Sequence, residues 1–132
     1  MSILSSTCLG GDNFKISVAL LIKHGFRIVL KRSDRYHQVW RKYNDRTATN
    51  VICSIDLHAK NPRYFVFPDI KVLDDDDETN NTSISEEEFP EYIDGKHAVE
   101  QYVIEVKNPV EFCKAIKKTE QLLKVIPKSW LL

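Results

Sequence analysis

What the chain lacks narrows the field first. No uninterrupted apolar run is longer than the stretch from Val18 to Ile22, whereas a membrane-spanning helix needs about 20 such residues. The opening MSILSSTCLGG has neither a basic stretch nor a long apolar one, so no secretion signal is expected. Only three cysteines occur, Cys8, Cys53 and Cys113, far apart and with no Cys-x-x-Cys. That spacing argues against a disulfide framework or a zinc knuckle and for a reducing compartment, cytoplasmic or nuclear. Cys53 and Cys113 sit in apolar patterns and read as small core residues. The four histidines, His24, His37, His58 and His97, form no i, i+4 pair and have no cysteine neighbour, so no metal site is expected. There is no Gly-rich phosphate loop and no nucleophile elbow, so no cofactor is expected either.

What is present is an ordinary balance with an uneven layout. The 132 residues, 42% apolar and 29% charged, suit one domain with one core. The net charge of zero divides sharply along the chain. Residues 1–73 carry 12 Lys/Arg and 5 Asp/Glu, residues 74–105 carry 1 and 12, and residues 106–132 carry 6 and 2. The stretch 74–88 holds five acids in a row and almost nothing apolar, which reads as a mobile loop insertion. Opposite charge suggests that it folds over the basic strands.

The hydrophobic pattern predicts strands through most of the chain. Phe14, Ile16, Val18, Leu20 and Ile22 alternate, so 13–24 is read as a strand, with Lys23-His24-Gly25 as a hairpin turn. Asp12 as a cap and Gly25 as a stop keep a helix open there. Further strands are expected at 26–32, 36–43 and 51–57, at 64–73 with a break at Pro68, and at 98–107. The last element is helical. Asn108 caps, Pro109 takes the first position, and Glu111 stands three after the cap. Phe112, Ala115, Ile116, Leu122, Leu123 and Ile126 then repeat at helical spacing, with Lys114, Lys117, Lys118 and Lys124 opposite.

The fold class expected is mainly β with a C-terminal α-helix, a bent antiparallel sheet or barrel of six or seven strands plugged by the helix. If 13–24 is helical, an α+β sandwich is expected instead. The segment YVIEVKNPVEFCKAIKKTEQLL, a last strand turning into a final helix, resembles the end of the pleckstrin-homology-like superfold. The resemblance rests on the order of elements and implies that the basic early-strand region would suit an inositol phosphate headgroup.

Three sets of residues carry candidate chemistry. Trp40-Arg41-Lys42-Tyr43 spells the name of a zinc-dependent family of DNA readers, but the glycine, cysteines and histidines which that family needs do not follow. The same region still gathers Lys31, Arg32, Arg35, Arg41 and Lys42 around Trp40. Basic side chains beside aromatics suit a nucleic acid or an anionic lipid headgroup, so these six are the ligand-binding candidates. Second, Asp69 after Pro68, and Glu105 with Lys107, resemble the Pro-Asp and Glu-x-Lys pattern of Mg²⁺-dependent nucleases, in which two carboxylates hold the metal and the lysine steadies the attacked phosphate. Third, Trp130, Leu131 and Leu132 are heavy apolar residues that either pack back or dock on a partner.

Weighed together, these features predict a non-catalytic intracellular adaptor or complex subunit whose partner is another protein, bound through a sheet edge, the helix or the apolar tail. Nucleic-acid or phosphoinositide binding through 31–46, and the nuclease, are the alternatives.

Overall fold

The computed structural model describes residues 14–73 and 93–132. The acidic stretch 74–88 lies outside the described residues.

The first element is a helix, not the expected strand: α1 spans Val18–Lys23. Ser17 caps it, its hydroxyl accepting the Leu20 N–H at 3.0 Å. Gly25 ends it at φ +92°, a left-handed conformation that glycine adopts without strain. The alternation read across 14–22 is misleading, because Leu21 is the residue that α1 buries, while Val18 and Ile22 stay exposed.

The main sheet is an antiparallel meander in the order β1-β2-β3-β4-β7. Its strands are β1 (Phe26–Ile28), β2 (His37–Asn44), β3 (Thr49–Asp56), β4 (Arg63–Pro68) and β7 (Ile104–Val106). A two-stranded parallel pair, β5 (Val72–Leu73) with β6 (Ile93–Asp94), stands apart from it. The break expected at Pro68 is observed, since Pro68 is the last residue of β4.

Two expectations are corrected. Among the described residues the sheet is open, with β1 and β7 as its edges, and does not close into a barrel. Much of 98–107 is helical: α2 (Gly95–Tyr102) precedes the short β7. Asp94 caps α2 by accepting the His97 N–H at 3.2 Å. The architecture is therefore mixed α+β, the alternative that a helical 13–24 implied.

The C-terminal helix α3 (Pro109–Leu123) forms as its sequence predicts. Asn108 Oδ1 accepts the Glu111 N–H at 2.9 Å, and Glu111 Oε1 accepts the Lys107 N–H at 2.8 Å. Phe112, Ala115, Ile116, Thr119 and Leu123 form the buried stripe. That stripe packs on the first face of the sheet, with Phe26, Trp40, Val51, Cys53, Tyr64, Val66 and Val106. Phe112 is fully buried, 5.8 Å from the Phe26 ring, and truncating such a phenylalanine to alanine costs about 3–5 kcal/mol.

Strand β3 is buried on both faces. Val51, Ile52, Cys53, Ser54 and Ile55 are all inaccessible, where a half-covered strand would alternate. A second, smaller cluster gathers Ile70, Ile93, Ala98 and Ile126, with Tyr102, Leu122, Trp130 and Leu131 against it.

Candidate functional site

The basic-aromatic stretch splits across both faces of the sheet, because successive residues on a strand point to opposite sides. Trp40 faces α3 and is buried among core residues. Its indole N–H donates to Gln38 Oε1 at 3.2 Å, so its ring has no free surface on which a base could stack. Lys42 lies on the same face and pairs with Glu120 of α3, 3.1 Å away. Arg35 sits over the Tyr36 ring, 5.5 Å from its centroid, and Tyr36 in turn stacks on His58 at 5.0 Å. Lys31 and Arg41 are exposed, with no ion-pair partner among the described residues. Arg41 stands directly opposite Arg27 in the β1–β2 register.

Arg32 has a structural partner. It pairs with Asp69, Nη1 lying 3.1 Å from Oδ1 and 3.3 Å from Oδ2. Asp69 is 5% exposed and the Arg32 side chain 40%. Asp69 also donates its backbone N–H to Asn50 O at 3.0 Å and accepts the Leu132 N–H at its own carbonyl. It therefore ties together the β1–β2 connection, β3 and the C-terminal segment.

The Asp69, Glu105 and Lys107 set is not brought together. Glu105 lies opposite Phe65 on β4, and Asp69 is four residues further along, about 13 Å at the usual rise per residue. Two oxygens on one Mg²⁺ lie within about 4 Å of each other. Each carboxylate also has its own arginine. Arg63, on the side of Phe65 away from Asp69, holds Glu105 through Nε at 3.0 Å and Nη2 at 2.9 Å. That guanidinium lowers the Glu105 carboxyl below its ordinary range. Asp56 is lowered as well, first by accepting the His58 backbone N–H and then by the His58 ring. Burial pushes the Cys53 thiol up to about 12, so Cys53 is a protonated core residue as its pattern predicted. Among the described residues no group of three or more His, Cys, Asp or Glu is placed to hold a metal ion, and no helix is long and apolar enough to cross a membrane.

The tail residues divide. Trp130 packs edge-on against Tyr102 at 6.5 Å. Its carbonyl accepts the Lys71 N–H at 2.6 Å, and Leu131 bridges Ile70. Leu132 remains exposed.

Two surfaces were not singled out by the sequence. Four large apolar side chains stand in solvent within residues 18–30: Val18 (56%), Ile22 (47%), Ile28 (38%) and Leu30 (74%). They lie on α1, on edge strand β1 and on the turn after it. Val18 and Ile22 are four apart and share one helix face, a spacing visible in the sequence but masked there by the apparent strand alternation. The second surface is a groove of about 270 Å³ between β7 and α3, lined by Ile104, Glu105, Glu111, Lys114, Ala115 and Lys118. Compared with protein-family models, with curated proteins and with solved structures, the chain finds no match.

Proposed function

We propose that this protein is a non-catalytic adaptor or complex subunit, cytoplasmic or nuclear, that binds another protein through the α1–β1 edge of its sheet. The observation that carries this reading is the set of exposed apolar side chains at Val18, Ile22, Ile28 and Leu30 on one margin of the fold. Single exposed apolar residues are ordinary, but a group along a sheet edge is characteristic of a contact surface. Around them, Lys23, Arg27, Lys31 and Arg32 supply the charged rim that interfaces commonly have. Cys53 and Cys113, both free, support a reducing location. The antiparallel meander with a final helix on one face supports kinship with the pleckstrin-homology-like plan, as part of the same proposal.

The test is recovery of bound protein from native cells by the full chain, set beside a Val18→Asp/Ile22→Asp variant. Both positions are exposed, so the variant should fold with an unchanged unfolding midpoint. A partner held by the unaltered chain and lost by the variant supports the reading. Equal recovery by both refutes it.

A second reading has one specific observation behind it. Arg27 and Arg41 face each other across β1 and β2, with exposed Tyr43 further along the same face. Such a pair suits a phosphate of a nucleic acid or a lipid headgroup. An Arg27→Glu/Arg41→Glu variant tests it, and loss of binding to single-stranded oligonucleotide or anionic vesicles at low salt is the expected result. No detectable binding by the unaltered protein would end it.

A further inference from the structure

Edge strand β7 and helix α3 line a groove that carries two glutamates and two lysines. Two carboxylates line it, and both are engaged. Glu105 is held by Arg63 through two hydrogen bonds, and Glu111 accepts the Lys107 N–H. The two lysines in the same lining, Lys114 and Lys118, are exposed and have no ion-pair partner among the described residues. Ile104 and Ala115 complete the lining. Alongside runs β7, which has β4 on one side and no further strand on the other among the described residues.

We infer that this groove takes an extended acidic peptide segment of a partner protein, added to the sheet as a strand beside β7, with alternate acidic side chains meeting Lys114 and Lys118. The spacing fits. Lys114 and Lys118 are four residues apart on a helix, a rise of about 6 Å. Side chains on one face of a strand repeat every two residues, about 6.6–6.8 Å. An acid at position i and another at i+2 of the added strand therefore match the two ammonium groups in step. The strand edge supplies backbone hydrogen bonds, which recognise extended peptide of any sequence, and the lysines select for acid. Duplex nucleic acid offers no backbone to pair with β7. The surface is separate from the α1–β1 margin, so this inference stands whether or not that margin binds a partner.

The test is titration of the ¹⁵N-labelled full chain at low salt with a six-residue peptide carrying glutamate at alternate positions among valine and threonine. Controls are the same peptide with lysine for glutamate, one with a central proline, and a single-stranded oligonucleotide. Amide shifts are expected at 104–106 and 111–118, with binding weakened about tenfold by Lys114→Glu/Lys118→Glu and again by the proline peptide. Both lysines are exposed, so an unchanged unfolding midpoint will show that the variant is folded. Three results would overturn the inference: no binding of the acidic peptide at millimolar concentration, equal binding of the proline peptide, or shifts confined to other surfaces. Tighter binding of the oligonucleotide at the same residues would mark a nucleic-acid surface instead. The Val18→Asp/Ile22→Asp variant should bind the peptide normally, which separates failure here from failure at the other margin.

Discussion

Replacing Arg32 by alanine should do more damage than its exposure suggests. Arg32 itself is 40% exposed, but its partner Asp69 is 5% exposed. Removing the guanidinium leaves a carboxylate with little access to water. Hydrogen bonds to charged groups contribute about 1.5–3 kcal/mol, and breaking a fully buried ion pair from one side costs about 3–5 kcal/mol. Solvent around the arginine screens the interaction, which favours the lower range, so the expected loss is about 2 kcal/mol. At that size the folded-to-unfolded ratio falls about thirtyfold, since about 1.4 kcal/mol is a factor of ten. The thermal midpoint should drop by about 7 °C, from an unfolding entropy of about 2.1 cal/mol/K per residue. Urea unfolding followed by circular dichroism measures it directly, with a shifted midpoint and an unchanged slope expected. Asp69→Ala and the double variant complete a cycle, in which the coupling should be about 1–2 kcal/mol. An Arg32→Ala variant within about 0.5 kcal/mol of the unaltered protein would refute the reasoning, because that is what an ordinary exposed arginine gives.

Other outcomes follow from single features. Thr119 is buried in α3 with its hydroxyl unpaired among the described residues, so Thr119→Val should stabilise by about 1 kcal/mol in the same urea assay. Deleting residues 128–132 removes Trp130 and Leu131 from the second cluster and should cost about 2–4 kcal/mol, seen as a lower melting midpoint. Glu105 and Asp56 have lowered carboxyls, so the unfolded chain takes up protons more readily than the folded one on acidification. The stability they lend is complete at neutral pH and fades as the pH falls below about 4. Arg63→Ala should flatten that part of the pH–stability curve, and 0.5 M salt should do the same.

The parts of the fold legible in the sequence are those where local signal and burial agree. In α3, the Asn108-Pro109 start and the stripe from Phe112 to Leu123 point to one element, and the structure has it. In β2, β3 and β4, β-branched and aromatic residues fill strands that neighbours cover on at least one face. In α1 the two signals conflict. Its alternating Val18 and Ile22 suggest a buried strand face, yet both are exposed, and the helix is decided by the Ser17 cap, by Gly25 and by one anchor, Leu21. In α2, Ala98 is the one buried residue of the helix, too little apolar periodicity to set against the strand-like run after it. The candidate sites fared less evenly because side-chain partners lie far apart in sequence. Nothing near Arg32 announces Asp69, 37 residues away, and alternation alone could not say that Trp40 would be the one turned inward.

The double burial of β3 gives the molecule an internal time standard. Amide protons at 51–55 have neighbouring strands on both sides and covered side chains above and below, so they exchange with deuterium only when the whole domain opens. Those of β1 and β7, at the margins, exchange through small local fraying. A ligand that merely stabilises the fold slows both clocks together. One that adds a strand beside β7 slows the marginal amides at 104–106 far more than the central ones, and a single exchange experiment reads the difference.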